Sequence, residues 1–362
     1  MGDCEFSSEK IEKLKFANRA LLINDDSNKE RDRNIIFVYC PPKVGSTSLV
    51  SSIRLFANEK FNVLHLHNEQ ILKFLYDIDV SINDIIKYNS YLGKNIFVFD
   101  IYRNPIEKKI SIFFEKLESL HFNSNSEMIE TYPIEKLISR FNSIFPYLGE
   151  NDYFRNEYTI ACPEKFDFDK KFLLVEKQKI KYIKLRLSDS SHYWSSILNT
   201  LLGIEVKIIR DYETKEKRSK DIFQKFIENY KIPENLFELI KQDEQTTYYM
   251  NESDRTSYFN EWRKKTTSSF NHYTNKQYDF YLKISSENQN RSEVHADHYI
   301  DNGCICNSCF EKRFRLRDSV RNGETKPNKI IHELSIPARR PVLIKVATRN
   351  KKKNFRNFKF FS

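Results

Sequence analysis

The stretch Pro41-Pro42-Lys43-Val44-Gly45-Ser46-Thr47-Ser48 combines one glycine, one lysine and three consecutive hydroxyl side chains. These are the parts of an anion cradle. Gly45 lets the backbone turn tightly, and the amides from Gly45 to Ser48 face the space before a following helix, where the helix dipole is positive. Lys43 and the hydroxyls of Ser46, Thr47 and Ser48 complete a site for a phosphate or sulfate group. The Walker pattern is different, because its lysine follows the second glycine and stands next to the Ser/Thr that holds Mg²⁺. Here Lys43 precedes Gly45, so an ATPase fits badly. Arg103, in Tyr102-Arg103-Asn104-Pro105, stands where a later apolar run ends and offers a permanent charge able to grip an anion with two parallel bonds.

The elements around these residues follow from the apolar pattern. Ile35 to Cys40 is a short continuous apolar run of the kind a strand buried on both faces shows, and it stops at Pro41-Pro42. A helix is predicted from Ser48 to Ala57, a second strand over Val63 to His67, and helices over 68–76 and 82–88. Ile96 to Tyr102 reads as a third buried strand, followed by Asn104 as N-cap and Pro105 at the first position of a helix reaching about Leu117. Strands alternating with helices in this way predict an α/β fold with a parallel sheet. Further strand-like runs lie at Phe172 to Val175 and Tyr182 to Leu185. A helix is predicted from Tyr193 to Leu202, ending at Gly203, and a helical segment over 219–265, punctuated by Pro233 and ending near Trp262. The expected organisation is an N-terminal helical extension over 1–33 and an α/β domain with a helical C-terminal half over 34–284. A polar linker with a cysteine cluster over 285–338 and a basic tail over 339–362 complete it.

The order Pro-Lys-x-Gly-Ser-Thr-Ser at a strand-to-helix turn resembles the 5′-phosphosulfate loop of sulfotransferases that use 3′-phosphoadenosine 5′-phosphosulfate (PAPS). Arg103, at the end of a later strand, with Ser111 eight residues on around a proline, is similar to the family's 3′-phosphate signature. The resemblance covers about residues 34–115. Residues 150–265 are more loosely similar to the second half of capsular-polysaccharide-type sulfotransferases, through Tyr153-Phe154, Lys184-Leu185-Arg186-Leu187 and the aromatic run ending at Trp262. It implies a P-loop-like fold, PAPS as co-substrate and sulfation of a hydroxyl, on a carbohydrate. Lys43, Gly45, Ser46, Thr47 and Ser48 would hold the 5′-phosphosulfate, and Arg103 and Ser111 the 3′-phosphate. The Gly-rich adenosine loop of the cytosolic small-molecule branch is not found, which weakens a phenol or steroid acceptor.

Sulfuryl transfer to a hydroxyl needs a proton removed and a leaving phosphate oxygen stabilised. Lys43 suits the second task. For the first, His65 and His67 stand at the end of the second strand, and strand alternation puts both on one face. Val63-Leu64-His65 also resembles the segment that carries the catalytic histidine in heparan/uronyl 2-O-sulfotransferases, so His65 is the first expectation and His67 the second. Glu59 and Glu69 are the carboxylate alternatives. No metal is expected in the reaction.

The charge balance says little about that chemistry. Lys and Arg number 60 against 50 Asp and Glu, a formal net charge of +10. The excess belongs to the end of the chain, because residues 339–362 hold nine bases and no acid. Interleaved with Phe355, Phe358, Phe360 and Phe361, they suit a polyanion or membrane surface or form a solvated tail. Cys304, Cys306 and Cys309, with His295 and His298 before them, have the donor types of a structural zinc site, but the spacing is irregular. Six cysteines, three of them crowded together, do not form a disulfide framework. The 40% hydrophobic and 14% aromatic content excludes a disordered chain, and seven glycines exclude a collagen-like one. No apolar run reaches the roughly 18 residues of a membrane span. The charged N-terminus does not read as a signal peptide, and Phe6 departs from the myristoylation pattern. A cytoplasmic protein is expected. The competing functional readings are a nucleotide or nucleic-acid binding module and a non-catalytic relative of the sulfotransferases.

Overall fold

The computed structural model describes residues 6–23, 29–67, 79–115, 117, 129, 131–149, 152–161, 163–209, 220–287, 294–295 and 343–344. Helix α1 (Ser8–Ala20) is capped by the Ser7 hydroxyl, which accepts from the Lys10 amide at 3.3 Å. A short helix α2 (Glu30–Arg33) leads into β1 (Asn34–Tyr39), α3 (Ser46–Ala57), β2 (Asn62–Leu66), α4 (Ile82–Tyr91) and β3 (Asn95–Tyr102). Then come α5 (Pro105–Glu115), α6 (Ile134–Ile144), α7 (Tyr153–Asn156), β4 (Phe172–Lys177), β5 (Ile180–Arg186) and α8 (Trp194–Leu202). Helices α9 (Lys220–Asn229), α10 (Glu234–Lys241), α11 (Glu244–Tyr249), α12 (Glu252–Arg263) and α13 (Asn275–Glu287) follow. Four two-residue strand pieces go with them: β6 (Ile232–Pro233) and β7 (Thr266–Thr267), which pair with each other, and β8 (Val294–His295), which pairs with β9 (Leu343–Ile344).

The fold is α/β, with a mostly parallel five-stranded sheet in the order β2-β1-β3-β5-β4. β1 runs parallel to β2 and β3, and β5 parallel to β3. β4 departs from the parallel arrangement expected from the sequence, pairing antiparallel with β5. Only Gln178 and Lys179 join β4 to β5, a connection long enough for a hairpin and far too short for a parallel crossover. The chain leaves β1 for β2 on one side and later returns to β3 on the other. This reversal makes a topological switch point between the carboxyl ends of β1 and β3, the place where open α/β sheets bind ligands.

The chain divides into two compact units. Of the described residues, the first holds everything up to Tyr102, 152–209 and the β8–β9 pair; the second holds 103–149 and 220–287. In the first unit, alternate strand residues Ile36, Val38, Val63, Phe99, Ile101, Ile183 and Leu185 present one apolar sheet face. Leu49, Val50 and Ile53 of α3 and Trp194, Ile197 and Leu198 of α8 cover it. Asn18 of α1 and Asn89 of α4, both buried, exchange side-chain amide hydrogen bonds at 3.1 and 2.9 Å.

The second unit is built on aromatic packing. Phe113, Phe114, Phe141, Phe226 and Tyr230 form its centre, with Phe226 stacked on Tyr230 at 5.0 Å and Phe141 edge-on to Phe226 at 5.3 Å. Lys109 is buried there but not unsatisfied, because its ammonium donates to the Phe145 and Leu148 carbonyls at 2.9 and 3.2 Å. The helical segment expected over 219–265 is four helices, α9 to α12, with Pro233 in β6 directly before α10. Helix α13 continues across residue 285, where a linker was expected. No helix among the described residues is long and apolar enough to cross a membrane.

Candidate functional site

The loop after β1 is held in an unusual backbone shape. Lys43 has φ +65° and Gly45 has φ +91°, both in the left-handed region. A lysine there costs about 1–2 kcal/mol, whereas a glycine takes the conformation without a side-chain clash. Gly45 is required for a second reason: a Cβ at this position would lie 2.5 Å from Leu187 Cδ1, just past the end of β5. Gly45 is the N-cap of α3, and no side chain caps that helix or places an acid in its first turn. Left-handed residues spaced along a loop turn successive amides toward a common point, which is how backbone makes an anion-binding hollow. Lys43, Thr47 and Ser48 are half-buried beside it, and Ser46 is buried. The first turn of α3 is anchored from behind, since the Ser52 hydroxyl donates to the Ser48 carbonyl at 2.6 Å and accepts from the Ile209 amide at 2.9 Å.

His65 and His67 come together at the end of β2, their rings 4.7 Å apart and edge to face. Their surroundings differ. His65 is only 3% exposed, and its Nε2 lies 2.9 Å from Ser46 Oγ, at the first residue of α3. Its Nδ1 is buried with no hydrogen-bond partner among the described residues. Burial, with His67 and the Arg54 guanidinium adding to it, pushes the His65 imidazole well below its ordinary value of 6.5. His67 is half-buried, and its Nδ1 lies 2.7 Å from the Cys40 carbonyl oxygen. A carbonyl only accepts, so Nδ1 carries a hydrogen, and in the neutral ring Nε2 is the lone-pair nitrogen. The Tyr153 hydroxyl donates to the His67 carbonyl.

A buried charge cluster lies in the same unit. Lys184 of β5 donates to Asp100 Oδ2 of β3 at 2.6 Å and to Asp152 Oδ1 at 2.9 Å. Asp100 also accepts from the Ile101 amide at 2.6 Å, and the Phe154 amide donates to both carboxylates at 3.2 Å. Burial raises the Asp100 pKa to about 6 despite Lys184, with Asp152 pushing the same way. Tyr158 donates its hydroxyl to the Tyr39 carbonyl at the end of β1. The segment 152–158 is therefore tied to β1, to the residue after β2, to β3 and to β5. The sequence reading missed this cluster. Asp100 carried a signal, as the one charged residue in the apolar run Ile96 to Tyr102, whereas Lys184 is one of three bases in β5 and nothing local sets it apart.

In the second unit, Arg103 follows β3 directly and is partly buried. Burial lowers its guanidinium pKa below the ordinary arginine value, while Glu107 and Tyr258 act in the opposite sense. Glu107 is held by the Tyr258 hydroxyl at 2.8 Å and the Trp262 indole N–H at 3.1 Å. Ser111 is buried in the second turn of α5, which begins at Pro105 as the sequence predicts.

Of the remaining candidates, Glu59 is exposed after α3. Glu69, His298, Cys304, Cys306 and Cys309 lie outside the described residues, as does the basic tail apart from 343–344. His295 falls in β8, and its side chain is likewise outside the description. Among the described residues no group of His, Cys, Asp and Glu is arranged to hold a metal ion. Comparison of the chain with protein-family models, with curated proteins and with solved structures finds no match.

Proposed function

We propose that the chain is a PAPS-dependent O-sulfotransferase on a P-loop-like α/β fold, acting on a carbohydrate hydroxyl. The observation that carries this reading is the loop between β1 and α3. It stands at the switch point of the sheet, has left-handed backbone at Lys43 and Gly45, and opens a helix without a capping side chain. In this reading Lys43, Gly45, Ser46, Thr47 and Ser48 bind the 5′-phosphosulfate, and Arg103 and Ser111 the 3′-phosphate. A donor set of backbone amides, hydroxyls, one lysine and one arginine suits two separate anionic groups.

The geometry favours His67 over His65 as the base. The Nδ1–H of His67 is directed at Cys40, which leaves Nε2 as the proton acceptor. His67 takes the acceptor hydroxyl proton as that oxygen bonds to sulfur and the bond from sulfur to the phosphate oxygen breaks. Lys43 neutralises the charge that builds on the departing phosphate. The test is thermal stabilisation by adenosine 3′,5′-bisphosphate compared with AMP and ATP. A selective rise in Tm with the bisphosphate is expected. Equal shifts with all three ligands, or a shift unchanged by Arg103→Ala, refute the reading.

A further inference from the structure

We propose that His65 is a positioning residue for the anion loop: it donates its Nε2–H to Ser46 Oγ and so directs the Ser46 hydroxyl proton toward an anion bound there. This rests on the reading of the β1–α3 loop as an anion site, and it gives His65 a role distinct from proton transfer.

The argument turns on which ring nitrogen carries the hydrogen. His65 is buried, Nε2 lies 2.9 Å from Ser46 Oγ, and Nδ1 has no partner among the described residues. With hydrogen on Nδ1, a buried N–H would be orphaned. With hydrogen on Nε2, only a bare lone pair is left without a donor, the cheaper of the two arrangements. The groups facing the ring are His67, from the end of its own strand, and Arg54, from α3; both oppose a positive charge on His65. A neutral ring with its hydrogen on Nε2 follows.

The consequence falls on Ser46. Its oxygen accepts from His65, and the hydroxyl hydrogen is then available to a different acceptor. Ser46 is the first residue of α3, directly after left-handed Gly45. An anion held by the amides of that turn is the acceptor the loop provides. Had Ser46 donated to His65 instead, its hydroxyl would present only lone pairs to an anion.

Two measurements on the full chain decide the matter. Long-range ¹H–¹⁵N spectra of the wild-type protein should show His65 as a neutral Nε2–H ring throughout pH 5.5–8. A ring protonated on Nδ1 in that range overturns the proposal, and this readout needs no variant. Titration with inorganic sulfate and with adenosine 3′,5′-bisphosphate is the second. His65→Leu should weaken both by about tenfold, the worth of one charge-assisted hydrogen bond. His65→Gln, which keeps an N–H at similar reach, should stay within about threefold of wild type. Ser46→Ala should weaken binding as His65→Leu does, and the double variant should lose no more than either. His65→Leu binding sulfate as tightly as wild type, or additive losses in the double variant, overturn the proposal. Sulfate binding without preference for the bisphosphate sinks the PAPS reading and leaves this inference standing. A wild-type chain that binds neither overturns both.

Discussion

The Lys184 ammonium lies 2.6 Å from Asp100 Oδ2, with both side chains almost wholly removed from solvent. Asp152, at 2.9 Å, makes this a three-member cluster with one positive and two acidic groups. Removing the lysine strands two buried carboxylates in a space that water does not reach. Lys184→Met should therefore destabilise the protein by about 3–5 kcal/mol, as breaking a buried pair does. Denaturant melts at pH 7 measure this directly, and a change below about 1 kcal/mol contradicts the burial of the cluster.

The same cluster predicts a pH dependence. The Asp100 pKa is raised to about 6 from an ordinary 3.8, so between these values the native state binds its proton more tightly than the unfolded chain. Stability from this group is thus fully present below about pH 4 and is withdrawn as pH rises toward 6. Asp100→Asn removes that term. The variant's stability relative to wild type should improve steadily from pH 4.5 to pH 6.5 in parallel melts. A constant difference across that range shows that Asp100 titrates normally.

Gly45 carries two constraints, a left-handed φ and the 2.5 Å approach of a would-be Cβ to Leu187. Gly45→Ala should cost about 1–3 kcal/mol and weaken bisphosphate binding, because the loop must shift to accommodate the methyl. Gly45→Ala with Leu187→Ala relieves the contact and leaves the backbone strain. The double variant should bind the bisphosphate better than Gly45→Ala alone and still worse than wild type. Isothermal titration of the two variants and the wild type separates the two constraints.

The residues involved explain how far the sequence could be read. The apolar runs of β1, β2 and β3 are visible because both faces of those strands are buried, and the start of α5 at Pro105 because capping chemistry is local. Helix α3 begins at Ser46, two residues before the apolar pattern predicts, since its first turn consists of hydroxyl residues. The antiparallel β4 was legible only in the short link at Gln178-Lys179. The contact between His65 and Ser46 has no local signal, because it depends on β2 lying beside β1, with His65 in register with Val38. Helix α13 is hidden by a polar composition, with Tyr278, Tyr281 and Leu282 partly buried among its described side chains.

Arg103 tests the 3′-phosphate assignment most selectively. Arg103→Lys keeps a positive charge and loses the planar fork that grips a phosphate with two parallel bonds. Affinity for adenosine 3′,5′-bisphosphate should fall about tenfold or more, while AMP, which lacks the 3′-phosphate, should bind within about twofold of wild type. Equal losses for both ligands would assign Arg103 to a structural role beside Glu107 and Tyr258.

His67 separates proton transfer from the geometry that supports it. His67→Ala removes both the proposed Nε2 base and the Nδ1–H bond to Cys40, so lost turnover alone would not identify the cause. His67→Asn is the sharper variant, because its amide N–H reaches about as far as Nδ1–H and preserves the donation to Cys40, yet offers no basic nitrogen. Both variants should lose about 10²–10⁴-fold in turnover, the usual worth of a general base, with bisphosphate affinity changed less than about threefold. Should His67→Asn keep the wild-type rate while His67→Ala loses it, His67 holds the loop end through Cys40 and the base lies elsewhere. Full activity in both variants would remove His67 from the mechanism altogether. Because the pair differs only in whether the Cys40 bond survives, it distinguishes the catalytic role of His67 from its anchoring role.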